Sequence, residues 1–131
     1  MVSKFKAFVY ALFHPRPIAL TVVRRYLDAK ANFIGELYLD GKMIGMSCDS
    51  LPYAIGALPE GTVAIVQVHF DLEHDFTTLM PPNTIRAGGN TPEETKAVRK
   101  LLLSKRYCKA IWNFHNRFIE HVMEKDIAAR D

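Results

Sequence analysis

The sequence has few cysteines and no long apolar run, and these absences exclude several classes of protein. Only two of its 131 residues are cysteine, Cys48 and Cys108. They do not form the framework of a disulfide-rich domain, and no CxxC spacing provides a structural zinc site. A chain of this length folds without either device, so we expect reduced, mostly buried thiols. No apolar segment approaches the ~18–20 residues of a membrane span.

Acidic residues are missing from the first 27 positions. Residues 1–27 carry five Lys or Arg, residues 28–94 have a net charge of −7, and residues 95–131 have a net charge of +5. An acidic middle is therefore flanked by two basic ends. The favoured interpretation is that the ends fold against the middle. The alternative is a basic face for an acidic partner.

The N-terminal segment combines lysines with a short apolar stretch. Pro15 and Pro17 stand where a secretory signal would have its small-residue cleavage site, so we predict no cleavable secretory signal. At helical spacing the apolar side chains share one face: Phe5, Phe8, Val9, Leu12 and Phe13. We predict an amphipathic helix and Pro-x-Pro linker over residues 1–17. The helix would pack on its own domain, on a partner or on a membrane surface.

Residues 18–131 are predicted to form a single α+β domain, with strands first and helices last. The Asp40–Gly41 pair is the strongest hairpin signal, because Asp-Gly supplies the positive φ angles of a type I′ turn. Strands are predicted at 18–27, 33–39, 43–48, 62–70 and 84–87. The expected fold is a mainly antiparallel β-sheet or small barrel followed by C-terminal helices.

The helical prediction begins at Thr91, which can cap free amides, with Pro92 in the first turn and Glu94 completing a capping box. One or two helices are expected to reach about residue 125. The reason is a second apolar stripe at helical spacing: Tyr107, Ile111, Phe114, Phe118 and Val122.

This predicted helical region is basic. Seven bases and no acid occur between residues 96 and 119, with aromatic residues among them. The favoured interpretation is an amphipathic helix whose aromatics face the core. A protein-binding patch comes next and a nucleic-acid surface is less favoured. The candidate partner patch consists of Lys96, Arg99, Lys100, Lys105, Arg106 and Lys109.

Two further patterns suggest ligand sites, and for each a structural role is favoured. Alternate residues of the fourth predicted strand and its continuation could bind a cation: His69, Asp71, Glu73 and Asp75. The favoured interpretation is an exposed or internally paired acidic rim. The loop Gly88, Gly89, Asn90 and Thr91 could hold an anion on free amides, although capping alone is favoured. Its spacing matches no nucleotide-binding fingerprint, and we predict no cofactor.

Short motifs along residues 18–125 resemble those of a small uncharacterised bacterial and phage family. The family opens with an L-x-R-x-Y-L strand, matched by residues 20–27, and a T-I-G-x-L-Y-x-D-G hairpin, matched by 33–41. Its C-x-T-L-E-D and I-P-x-G-x-Y segments are similar to residues 48–52 and 58–63. Its I-x-I-H-x-G-N-x-x-x-D-T-x-G-C segment corresponds to residues 85–98.

In that family the His and the Gly-Cys resemble a reduced L,D-transpeptidase motif. In such a motif a thiolate attacks a peptide carbonyl and a histidine accepts its proton. Here the His position is Ala87, the Gly is Ala97 and the Cys is Val98, while Pro52 replaces the Glu of the third motif. The resemblance therefore implies a divergent, non-catalytic member that acts by binding or assembly. It also implies an accessory virion or cell-envelope role.

Two alternatives from other classes stay open. One is a peptidoglycan-acting enzyme with related cysteine chemistry, and the other is a basic-surface nucleic-acid-binding protein. The enzyme has little support, because Cys108 and His115 would lie ~10 Å apart on the predicted helix, beyond the contact that a nucleophile and base require. A protein partner is the favoured expectation, and homo-oligomerisation is compatible with it.

Overall fold

The computed structural model describes residues 17–58, 62–63, 68–105 and 109–117, which form one curled, half-barrel sheet and two short helices. The strands are β1 (Ile18–Leu27), β2 (Phe33–Leu39), β3 (Lys42–Asp49), β4 (Thr62–Val63), β5 (His69–Asp71), β6 (Thr84–Gly88) and β7 (Ala110–Asn116). The helices are α1 (Tyr53–Gly56) and α2 (Pro92–Ser104). The strand order is β4-β7-β1-β2-β3-β6-β5. The β1–β7 and β5–β6 pairs are parallel and the others antiparallel.

The first three strands form where the sequence predicts them. Asp40 and Gly41 have φ angles of 49° and 84°, so the predicted β2–β3 hairpin is confirmed. The Asp40 carboxylate also accepts a hydrogen bond from the backbone N–H of Ala19 on β1. The turn therefore fastens the hairpin to the neighbouring strand as well as connecting its two arms.

The face of the sheet on which α2 packs, here called the helix face, contains the main core. Alternate strand residues point to one face, and those that point here are mostly apolar. They include Leu20, Val22, Leu37, Ile85, Ala87, Trp112 and Phe114, covered by Val98 and Leu102 of α2. Gly45 makes the close contact of α2 with β3 possible, because a Cβ there would lie 2.7 Å from a Val98 methyl group.

The opposite face, here called the loop face, is covered by the chain between β5 and β6. Ile34, Cys48 and Met80 are buried there, with Met46 and Phe76 packed against them. Each face of the sheet is therefore covered in part, one by α2 and the other by the segment that contains Phe76 and Met80. No helix in the described ranges is long and apolar enough to cross a membrane.

The expected α+β fold with C-terminal helices is wrong: the described residues are mostly β, and α2 ends at Ser104. Residues 110–116 form β7, which pairs with β1 along its whole length. Trp112, Phe114 and Asn116 are buried in alternation, whereas Ile111 points to the other face and is 37% exposed. The apolar spacing that predicted a helix counted Ile111 and Phe114 on one face, and they lie on opposite ones.

The predicted single strand over residues 62–70 is also wrong. Its described ends belong to β4 and β5, which lie at opposite edges of the sheet. Strand β5 ends at Asp71, so the expected alternation beyond it does not exist. The predicted N-terminal helix, with Phe5, Phe8, Val9, Leu12 and Phe13, lies outside the described residues.

A buried arginine on the helix face connects four parts of the chain. Arg24 of β1 is 0% exposed, and its Nε and Nη2 donate to the two carboxylate oxygens of Asp49 at 3.1 and 2.7 Å. Its Nη1 donates to the Pro52 carbonyl and to the Asn116 side chain, each at 3.1 Å. The guanidinium lies 4.0 Å from the ring centroid of Phe33. Bidentate pairing and stacking of this kind require arginine and cannot be reproduced by lysine.

We expect Asp49→Ala to lower the free energy of unfolding by about 3–5 kcal/mol, because it leaves the Arg24 charge buried without its counter-ion. The matched control is Glu36→Gln, which removes the partly exposed pair of the adjacent Arg25 and should cost about 1 kcal/mol or less. Urea unfolding of both variants measures the difference. Equal losses would contradict the role given to the buried pair.

The β7 assignment predicts unequal effects at two positions that a helix would place side by side. Phe114→Ala should cost about 3–5 kcal/mol because the ring is completely buried. Ile111→Ala should cost about 1 kcal/mol or less, since that side chain is partly exposed on the other face. Similar losses in urea unfolding would favour the helix.

Candidate binding cleft

A large cleft lies between residues 73–76 and helix α2. Its volume is about 820 Å³, within the ~300–1,000 Å³ range of small-ligand sites. The side chains that form it come from the loop after β5, the loop before α2, and one side of α2. They are Glu73, Asp75, Phe76, Gly89, Asn90, Thr91, Pro92, Thr95, Lys96, Arg99, Lys100 and Leu103.

The loop wall of the cleft is held in place by Arg86, the central residue of β6. Arg86 is 2% exposed, and its Nη1 donates to the carbonyl oxygens of Asp75 and Thr78 at 2.7 and 2.8 Å. Its Nη2 donates to the Leu79 carbonyl at 3.0 Å, and its Nε to the Asp71 carboxylate at 3.1 Å. A buried guanidinium that bonds this many carbonyls fixes the course of an otherwise irregular segment.

Asp71 completes this arrangement at the end of β5. Burial opposes ionisation of its carboxyl group. The N–H groups of Glu73 and His74, the His74 ring and the Arg86 guanidinium donate to it, and together they hold its pKa well below the usual range. The carboxylate is therefore charged at neutral pH and fastens the first turn of the loop to β6.

Arg99 joins the loop wall to α2. Its Nε donates to the Ala87 carbonyl of β6 at 3.0 Å, and its Nη2 donates to the His74 carbonyl. Arg99 also lines the cleft. Both walls are thus attached to the same buried strand, one through Arg86 and the other through Arg99, and the cleft is formed before any ligand arrives.

The two walls carry opposite charges. Glu73 and Asp75 are exposed on the loop wall, and Lys96 and Lys100 are exposed on α2, one helical turn apart. Over the described residues, no ion pair within 4.0 Å joins one wall to the other. The cleft therefore presents an acidic wall and a basic wall whose charges are not neutralised across the gap.

The structure brings together only part of the predicted basic patch. Lys96, Arg99 and Lys100 share the α2 wall, whereas Lys105 caps the helix C-terminus. Lys109 precedes β7, and Arg106 lies outside the described residues. The expectation of one continuous helical face is wrong, because α2 ends at Ser104.

The loop Gly88–Thr91 acts as a helix cap. Thr91 Oγ1 accepts from the Glu94 N–H, and the Glu94 carboxylate accepts from the Asn90 N–H, one residue earlier than in a standard capping box. The Gly89 N–H donates to Thr95 Oγ1. These amides are used within the protein, and the favoured capping interpretation accounts for this loop.

The candidate cation ligands do not form the expected row. His69 and Asp71 belong to β5, but the chain turns immediately afterwards, so Glu73 and Asp75 are loop residues. The Asp71 carboxylate is already hydrogen-bonded to Arg86 and His74. Within the ranges that the structure describes, no three His, Cys, Asp or Glu side chains converge on a metal position.

The positions that the resemblance assigns to catalysis do not line this cleft and carry no reactive group. Ala87 and Val98 are buried in the helix-face core. Cys48 is buried on the opposite face, where its thiol donates to the Met80 sulfur. Burial, together with the nearby Asp28 and Asp49 charges, raises the pKa of Cys48 to about 12, against a smaller opposing effect of Arg86. This thiol stays protonated at neutral pH. Cys108 lies outside the described residues.

Sequence reasoning missed Arg86 and Phe76 as residues that build the cleft, and it assigned Arg99 to a partner patch without its role in joining the two walls. A signal was present for Arg86, because it alternates with Ile85 and Ala87 in a predicted strand and a charge there needs a buried partner. The identity of that partner could not be predicted, since Asp71 lies fifteen residues away.

Comparison of the chain with protein-family models, with curated proteins and with solved structures finds no match.

The lowered pKa of Asp71 predicts an acid-sensitive contribution to stability. Because the pKa is lower in the folded state than the ~3.9 of an unfolded aspartate, the contribution is complete above about pH 5 and is lost as the pH falls through and below about 4. Asp71→Asn should therefore be less stable than the parent protein at pH 7, and the gap should narrow by about pH 3. Urea unfolding at several pH values tests this, and a constant gap would contradict it.

Proposed function

We propose that this protein is a non-catalytic binding domain whose cleft, between residues 73–76 and α2, takes part of a protein partner. The observation that carries the proposal is a preformed cleft whose two walls carry opposite charges and which no described cysteine or histidine lines. Hydrogen bonds from Arg86 and Arg99 set the two walls before binding, which reduces the ordering cost of association. The arrangement suits recognition.

The residues at the family-like catalytic positions and the described cysteine argue against the peptidoglycan-acting alternative. A cysteine mechanism needs a thiolate within reach of a base. Ala87 and Val98 provide neither group, and Cys48 is a protonated thiol on the other face of the sheet. Related cysteine chemistry would therefore need residues that do not line this cleft.

The charge distribution favours a protein over nucleic acid as the partner. A phosphate backbone is attracted by lysines and arginines, but Glu73 and Asp75 on the facing wall would repel it. The wider setting that we propose, an accessory role in a virion or at the cell envelope, follows from the motif resemblance. Self-association through the same cleft is one form that such assembly could take.

Site-specific photo-crosslinking in the native host or particle tests the proposal. A crosslinking amino acid at Leu103, which lines the cleft and is 56% exposed, should give a discrete adduct with one protein. Tyr26, 52% exposed and away from the cleft, is the matched control and should not give that adduct. Lys96→Gln with Lys100→Gln should weaken the adduct from Leu103.

Two results would count against the proposal. One is the absence of any adduct from Leu103 under conditions in which the protein is folded and abundant. The other is turnover of a muropeptide panel by the purified protein, with or without divalent metal, since a non-catalytic domain should give none. Turnover would favour the enzyme, and the absence of an adduct would favour an unrelated role.

A further inference from the structure

We infer that the occupant of the cleft is a short peptide segment that carries charges of both signs. Its cationic side chain would face Glu73 and Asp75, and its anionic side chain would face Lys96 and Lys100. This inference rests on the proposed function and specifies its ligand. It depends on the arrangement of the charges in the cleft, whereas the proposal of a binding domain does not depend on that arrangement.

The free charges of the cleft are few and are divided between the walls. Arg99 lines the cleft, but its Nε and Nη2 are already bonded to the Ala87 and His74 carbonyls. None of the three cationic groups on the helix wall makes an ion pair with a described residue, and Lys96 and Lys100 are the exposed ones. Glu73 and Asp75 are their counterparts on the loop wall.

A ligand of one charge sign would be attracted by one wall and repelled by the other. A segment with both signs meets a complementary group on each side, and this arrangement fixes its direction as well as its position. Like-charge contact is unfavourable, and since the four charged side chains are exposed, salt screens both this repulsion and the attraction. The opposed walls thus select against purely acidic and purely basic partners.

Each wall also carries an apolar side chain, and this suits a peptide ligand. Phe76 packs over Gly88 of β6, where a Cβ would lie 3.2 Å from its ring. Leu103 is exposed at one end of the cleft. Together they offer surface for the aliphatic part of a ligand between its two charged groups. The volume of about 820 Å³ accommodates a few residues of a segment and not a folded domain.

Titration of isotopically labelled protein with four capped tetrapeptides tests this inference. The probes are Lys-Ala-Ala-Glu, Gln-Ala-Ala-Gln, Lys-Ala-Ala-Lys and Glu-Ala-Ala-Glu, each acetylated and amidated. The mixed-charge peptide should bind about tenfold more tightly than the neutral one, as expected for two partly exposed ion pairs. Amide shifts should occur at residues 73–76 and 96–103. The preference should weaken between about 0.01 and 0.15 M salt.

Charge-neutral variants show which charge of the peptide each wall binds. Lys96→Gln with Lys100→Gln should remove the advantage of the mixed-charge peptide over Lys-Ala-Ala-Lys. Glu73→Gln with Asp75→Asn should remove its advantage over Glu-Ala-Ala-Glu. The matched control, Lys42→Gln with Lys109→Gln, also neutralises two exposed lysines, neither of which lines this cleft, and should change nothing.

The outcomes separate this inference from the proposed function. Equal binding of all four peptides, or shifts confined to other residues, would overturn the inference. If a crosslinked partner is nevertheless obtained at Leu103, the binding domain stands and only its ligand class is wrong. If neither peptides nor a crosslinked partner is found, the proposed function itself fails.

Discussion

A buried guanidinium must place its N–H groups in hydrogen bonds, and this requirement shapes the irregular parts of the fold. Two arginines are almost completely buried, Arg24 on the helix face and Arg86 on the loop face. Each lies in a strand, and each has one carboxylate partner, Asp49 or Asp71. Neither carboxylate can satisfy all five N–H groups of a guanidinium. The remaining donors bond carbonyls of adjoining loops, and those loops take their shape from the arginine.

The cleft is a consequence of the second of these arginines. By bonding the carbonyls of Asp75, Thr78 and Leu79, Arg86 curves the segment after β5 over the loop face. This curvature places Phe76 above Gly88 and exposes Glu73 and Asp75 toward α2. Arg99 then fixes the distance between the segment and the helix. The charged walls are thus supported by residues that are themselves buried or half-buried, which favours a defined geometry over an adaptable one.

Local signals were sufficient where neighbouring residues decide the structure. The turn at Asp40 and Gly41 forms because these two residue types tolerate the positive φ angles that it requires. The start of α2 forms because Thr91 and Glu94 supply its first hydrogen bonds. The same approach failed over residues 110–116. Apolar residues occur there at both helical and strand spacing, and the outcome depends on whether an edge of β1 is available for pairing. Intrinsic preference is weak in such a segment, and the tertiary pairing overrides it.

The cleft was predicted only in fragments. The sequence indicated Lys96, Arg99 and Lys100 as a basic group, and Glu73 and Asp75 as an acidic one, but it assigned them to a partner patch and a metal row. What brings the two groups to opposite walls is the pairing of β5 with β6 and the packing of α2 beside them. Contacts between residues 73–75 and 96–100 span more than twenty positions, and no local pattern encodes them.

By itself, then, the sequence determined the hairpin, the cap of α2 and the uneven distribution of charge. The tertiary structure decided the topology, the β conformation of residues 110–116 and the partners of the two buried arginines. It also decided that acidic and basic groups lie on opposite walls of the cleft. The physical reason is the range of the interactions. Turns and caps are bonded within a few residues, whereas buried charges and sheet edges are satisfied by whatever the fold brings next to them.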